Sequence, residues 1–171
     1  MNGLERREEI VNILKNDTKA ISGTNLANKL NVSRQLIVGD IALLRASGLN
    51  IISTPKGYIL DNKGNNEGYI IRTIACKHSK NFIADELNVI VDEGATVVNV
   101  IVEHGVYGQI TGDLHVSSRR DVKDFMEKLK CEDTNPLSQL TDGLHLHTIR
   151  CRHEESFEEI VNILREKGYL Y

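Results

Sequence analysis

The chain has 171 residues, 40% of them hydrophobic and 26% charged, with only two prolines, no tryptophan and a net charge of −3. That is ordinary for a soluble globular protein and large enough for two small domains. It excludes a disordered or collagen-like chain, and no apolar run is long enough to span a bilayer.

The first segment, MNGLERREEIVNILKND, is charged and amphipathic rather than a basic stretch followed by an apolar core, so it is expected to be a helix and not a secretory signal. Leu4, Ile10, Val11, Ile13 and Leu14 recur at helical spacing. A second short helix over 23–30 carries Leu26, Ala27 and Leu30. In NVSRQLIVGDIALLRASG, Asn31 and Val32 make a turn, Ser33 is the expected N-cap, and Ile37, Ile41 and Leu44 line the buried side of a third helix. NIISTPKGYIL then reads as two short strands around Thr54–Gly57, a β-hairpin.

Three helices with a tight turn before the third, followed by a hairpin, make a winged helix-turn-helix over residues 1–60, and the expected partner is double-stranded operator DNA. This part carries eight Lys/Arg against five Asp/Glu, net +3, while the remainder is net −6, so only the first part suits a polyanion. The first turn of a recognition helix enters the major groove. Arg34 can read guanine and Gln35 adenine, while Ser33, Lys56 and Arg45 are placed for phosphate contacts. LANKLNVSRQLIVGDIALLRASGLNIISTPKGYIL resembles the winged-helix domain of the biotin repressor and the niacin-responsive repressors.

Residues 61–68, DNKGNNEG, contain no apolar side chain and are the expected linker. From 69 to 171 the pattern is strand (YIIRTIACKH), helix (79–92), strand (ATVVNVIVE), strand (QITGDLHV), helix (119–131), strand (LHLHTIRC) and helix (154–167). A βαββαβα order implies an α+β two-layer sandwich. Its strand order would be that of the phosphocarrier HPr, which the trailing helix favours, or alternatively ferredoxin-like. Val97, Val98, Val100, Ile101 and Val102 make the second strand apolar on both faces, so a homodimer is expected to cover the outer one. Cys76, Cys131 and Cys151 form no CxxC pair and read as reduced structural thiols of a cytoplasmic protein.

His145 and His147 alternate with leucines and face one side of their strand, about 7 Å apart at the backbone. In the preceding helix Phe82, Ile83, Leu87, Ile90 and Val91 form the apolar stripe, and Glu86 falls inside it while Asp85 falls outside. A buried carboxylate needs a cationic partner, and His78 stands just before this helix. His78, Glu86, His145 and His147 together suit zinc, nickel, iron or copper rather than magnesium or calcium. The same residues also fit a salt-bridged glutamate with three unrelated histidines.

KHSKNFIADEL, EHGVYGQITGDLH and LTDGLHLHT are similar to the motifs of the 3H domain, which follows this type of winged helix in niacin-responsive repressors of NAD biosynthesis and niacin uptake. The resemblance implies a non-enzymatic repressor with nicotinic acid as corepressor. It also implies a divalent metal, nickel or zinc before iron, at His78, Glu86, His145 and His147. His104 and Tyr107, in a turn whose glycines let backbone approach a ligand, are the candidate effector contacts. Two other uses stay open: a phosphorylation switch at His78, with the helix dipole favouring the phosphate, and a metal-dependent hydrolase.

Overall fold

The computed structural model describes residues 2–61 and 68–171, and the chain divides into two compact units, Met1–Asn65 and Asn66–Tyr171. Most of the expected linker lies outside the described residues. No helix among them is long and apolar enough to cross a membrane.

In the first unit α1 (Gly3–Asn16) starts on a capping box: the Asn2 side chain accepts from the Leu4 and Glu5 amides, and Glu5 accepts from the Asn2 amide. Ser22 caps α2 (Gly23–Leu30) and Ser33 caps α3 (Arg34–Ala46). Between them Asn31 takes the left-handed conformation, φ 52°, which ends α2 and makes the tight turn. Ile10, Leu14, Leu26, Leu30, Ile37, Ile41 and Leu44 form the shared core, whereas Leu4 is 62% exposed and does not join it.

Asp40, on the buried side of α3 and 3% exposed, pairs with Arg6 at 2.5 Å and Arg7 at 3.5 Å, tying α1 to α3. The strands β1 (Ile51–Thr54) and β2 (Gly57–Leu60) form the antiparallel wing, and Ile21 and Tyr58 exchange backbone hydrogen bonds of 2.8 and 3.0 Å that pin the wing to the start of α2. Gly57, at φ +136°, permits this approach, because a Cβ there would lie 2.3 Å from the Ile21 carbonyl.

The second unit runs β3 (Ile70–Lys77), α4 (Ile83–Asp92), β4 (Thr96–His104), β5 (Gly108–Val116), α5 (Arg119–Cys131), β6 (Leu144–Cys151) and α6 (Glu154–Glu166). The sheet order is β3-β6-β4-β5, with every neighbour antiparallel. The first strand lies at an edge, where a ferredoxin-like order would put it inside, so the topology is the HPr-like one. Inward residues of the strands (Ile74, Val97, Leu114, Ile149) and of the helices (Leu87, Ile90, Val122, Ile160, Leu164) make one core. Residues on β6 alternate between half-buried and buried, which leaves Leu144 and Leu146 on the outer face with His145 and His147 inward.

Two details differ from the sequence reading. The helix expected from residue 79 begins at Ile83, after a 3-10 turn over Lys80–Phe82, and Phe82 is 47% exposed against the Tyr169 ring instead of buried. The chain end returns along β3: Lys77 donates to the Tyr169 carbonyl and Tyr171 to that of Ala75. This sets Tyr169 beside His78, with ring centroids 5.2 Å apart.

Candidate metal centre and DNA-reading surface

Three elements bring four side chains to one point. Glu86, fully buried, comes from the first turns of α4, His145 and His147 come from the inner face of β6, and His78 follows β3. Glu86 Oε2 is 2.6 Å from His78 Nε2, and Oε1 is 3.2 Å from His145 Nε2 and 3.4 Å from His147 Nε2. The three imidazole side chains are at most 4% exposed.

The opposite nitrogens decide what this cluster can do. Each Nδ1 donates to a backbone carbonyl: His78 to Ser79 at 2.9 Å, His145 to Gly143 at 2.8 Å and His147 to Asn99 at 2.7 Å. A proton fixed on Nδ1 leaves Nε2 of the neutral ring as a lone pair aimed inward, the arrangement in which metal-ligating histidines are held by their outer partners. Three imidazole nitrogens and one carboxylate are a donor set for zinc or a similar transition ion.

Without an ion, the carboxylate must instead share protons with the rings. Burial pushes the Glu86 carboxyl up, but the charge of His147 and hydrogen bonds from His145, His147 and His78 hold it well below the usual carboxylate range. Burial likewise works against the charged forms of His78 and His147, and Glu86 outweighs it and raises both.

The backbone is built to hold these rings. A register shift between Val97 and Asn99 in β4 accompanies the Asn99 carbonyl meeting His147, while the Asn99 side chain accepts from the Thr148 amide at 3.0 Å. Gly143, at φ +88°, precedes β6, and a Cβ there would lie 2.4 Å from the His78 carbonyl oxygen. Gly143 therefore positions two histidines, one through its own carbonyl and one by lacking a side chain. Gly143→Ala keeps the carbonyl but forces a Cβ against the His78 backbone, and displacing the anchored rings in this way is expected to lower metal affinity by about 10- to 100-fold, the usual scale for disturbing an outer partner. A chelator-competition titration checks it, and an unchanged affinity would remove Gly143 from this role.

Cys76, expected from the sequence to be a structural thiol, stands opposite His145 in the β3–β6 register, and its sulfur, a Glu86 oxygen and a His145 nitrogen all lie within 4.8 Å of one another. Burial and then the Glu86 carboxylate push its thiol pKa up, so in the ion-free chain it stays protonated. Register sets Cys76 against His145, while its i, i+2 spacing to His78 already places the two on one face of the expected strand.

A cavity of about 230 Å³ opens against the same cluster, with Glu86, His145 and His147 on one side and Leu87, Val100 and Phe125 among the apolar walls. His104 and Tyr107 do not line it. They sit at the β4–β5 turn, where His104 Nδ1 accepts from the Val106 and Tyr107 amides at 3.1 and 3.3 Å, and Tyr107 is 76% exposed. The glycines flanking them shape that hairpin end.

On the first unit, Arg34 and Gln35 are exposed in the first turn of α3, and Lys56 is exposed at the wing tip. The Ser33 hydroxyl oxygen accepts from the Leu36 amide at 3.3 Å, so it caps the helix. The Arg45 guanidinium donates to the Ile51 carbonyl at 2.7 Å and the Ser53 hydroxyl at 2.8 Å, bracing α3 against the wing. That engagement departs from a free phosphate contact, although Arg45 remains on the surface.

A winged helix-turn-helix joined to a separate two-layer sandwich domain defines a DNA-binding transcription regulator of two domains. Residues 71–171 match the 3H domain and residues 6–59 an HTH domain. The chain is 45% identical over 166 residues to the probable transcription repressor NiaR of Thermotoga maritima, an alignment covering 97% of this chain and 93% of that protein. It is 41% identical over 169 residues to the transcription repressor NadR of Bacillus subtilis, covering 98% and 94%. The chain belongs to the 3H-domain transcription repressors of the NiaR and NadR type, and is a regulator rather than an enzyme.

Proposed function

We propose that this repressor carries one divalent transition metal per chain, held by His78, Glu86, His145 and His147, and takes nicotinic acid as corepressor in controlling genes of NAD biosynthesis or niacin uptake. The observation that carries the reading is the set of three Nε2 atoms turned onto one buried carboxylate, each ring anchored through Nδ1 to a main-chain carbonyl. Nickel or zinc suits these donors best, with iron next. The corepressor is proposed from the resemblance of the 3H motifs, and the cytoplasmic setting from the three cysteines without CxxC pairing.

Corepression requires that the effector bind the DNA-competent form more tightly than the other form. A coupling of about 1–3 kcal/mol corresponds to roughly 5- to 150-fold in operator affinity. In an anisotropy titration of metal-loaded protein with operator DNA, nicotinic acid is expected to tighten binding at least about fivefold. An unchanged affinity contradicts the corepressor assignment.

The operator-binding form is a homodimer assembled through the outer sheet face, where Leu144, Leu146 and Ile101 are half-buried in one chain. Sedimentation equilibrium at micromolar protein is expected to give the dimer mass, and monomer alone contradicts it. A phosphorylation switch at His78 is disfavoured, because both its ring nitrogens are engaged and its side chain is 3% exposed.

A further inference from the structure

We infer that the second turn of α3 reads a thymine through its 5-methyl group, and that Gly39 is the specificity-determining residue that makes room for it. The contact belongs to the winged-helix unit alone and is independent of the metal and effector proposed for the second unit.

Nothing within the fold calls for a glycine at 39. Glycine is the poorest helix former after proline, and Gly39 stands in the middle of α3. It is exposed, it does not take the left-handed conformation, and a Cβ there would meet nothing within 4 Å. Among the described residues, then, no neighbour uses the space that the missing side chain leaves. At about 100° per residue, Gln35, Gly39 and Ala42 share the side of α3 opposite Ile37, Ile41 and Leu44. All three are exposed, on the side that a recognition helix turns to the major groove.

The chemistry of this turn names the base. Between Gln35 and Arg45 the only polar side chain is Asp40, and it is buried against Arg6 and Arg7. Leu36, Val38, Ala42 and Leu43 offer no donor or acceptor, and the main-chain groups of the turn are committed to the helix. A surface without hydrogen-bonding groups complements only an apolar feature of a base edge, and in the major groove that feature is the thymine 5-methyl. Arg34 and Gln35 in the first turn read by hydrogen bonds, and the second turn reads by shape.

The fold sets the distance. Arg45 braces α3 to β1 through the Ile51 carbonyl and the Ser53 hydroxyl, and the Ile21–Tyr58 pair holds the wing to the start of α2. Helix and wing therefore meet DNA as one body, with Arg34 and Lys56 exposed at its two contact points. A methyl added at 39 cannot be relieved by swinging α3 back, because the same movement would withdraw Arg34 from the bases.

The test is an anisotropy titration of the full chain on an operator duplex that the protein itself selects from random-sequence DNA, with nickel and nicotinic acid held constant. Each thymine is replaced in turn by deoxyuridine, which removes only the 5-methyl, and every duplex is titrated with the unmodified chain and with Gly39→Ala. Replacing one particular thymine is expected to cost about fourfold in affinity, the worth of one buried methyl. Gly39→Ala should raise the thermal midpoint, since alanine is the better helix former, yet bind the thymine operator at least about fivefold more weakly, as an overpacked contact does. With deoxyuridine at that position the alanine methyl takes the vacated space, so the penalty should vanish there and persist at any other sensitive thymine. An operator with no methyl-sensitive thymine, Gly39→Ala that binds as tightly as the unmodified chain, a loss of affinity accompanied by a lower thermal midpoint, or a penalty of equal size in both proteins at every thymine would each overturn the inference.

Discussion

Glu86→Gln is expected to lower metal affinity more than about a hundredfold, read by equilibrium dialysis against a chelator-buffered nickel or zinc series. Even outer partners of a ligand are worth about 10- to 100-fold, and Glu86 is the sole anionic member of the proposed donor set. The substitution keeps size and shape, so the helical signal should persist, and retained affinity would place the ion elsewhere. The pH dependence carries the same signature. In the ion-free chain Glu86 is held low, so its contribution to stability is present above its unfolded value of about 4.3 and is lost as pH falls through the folded value. His78 and His147 are held high, so their contributions are complete below about 6.5 and are lost as pH rises through their folded values. Ion-free protein is therefore most stable between those limits. Above them a bound ion supplies the positive charge that the rings have released. The Tm difference between metal-loaded and metal-free protein should widen as pH rises past about 6.5, and in Glu86→Gln it should stay small throughout.

Arg34→Ala is expected to weaken operator binding by about 1–3 kcal/mol and to relax discrimination at one base pair, as loss of a bidentate base contact does. Arg34 is exposed in the first turn of α3, whose start is fixed by the Ser33 cap and whose body is tied to α1 by Asp40, so losing its side chain leaves the unit folded. Lys56→Ala at the wing tip should instead weaken all sequences alike and reduce the salt slope by about one. Anisotropy titrations on operator and single-base variants at several salt concentrations separate the two. Uniform weakening by Arg34→Ala would make it a phosphate contact.

Much of this is legible in the amino-acid sequence. Glu86 stood out because a carboxylate on an apolar helical stripe demands a partner, and the β6 alternation already set His145 and His147 on one face. The same logic reaches Asp40, between Ile37 and Ile41 on α3, whose partners Arg6 and Arg7 lie more than thirty residues away. Other features depend on register and closure, which local periodicity does not encode. The β3-β6-β4-β5 order is such a case, as are Cys76 facing His145, the Asn99 carbonyl turned to His147, and Gly143 under His78. The cavity was hidden for a related reason: its walls come from α4, β4, β5, α5 and the turn before β6, each contributing ordinary apolar residues. The glycines around His104 and Tyr107 pointed to a ligand, and they serve a hairpin turn.

The most direct measurement is X-ray absorption at the metal edge on protein reconstituted with nickel or zinc. The account predicts one ion per chain, nitrogen and oxygen neighbours at about 2.0–2.2 Å, and the outer-shell scattering of three imidazoles. A first shell without imidazole scattering, as a surface-bound ion would give, contradicts it.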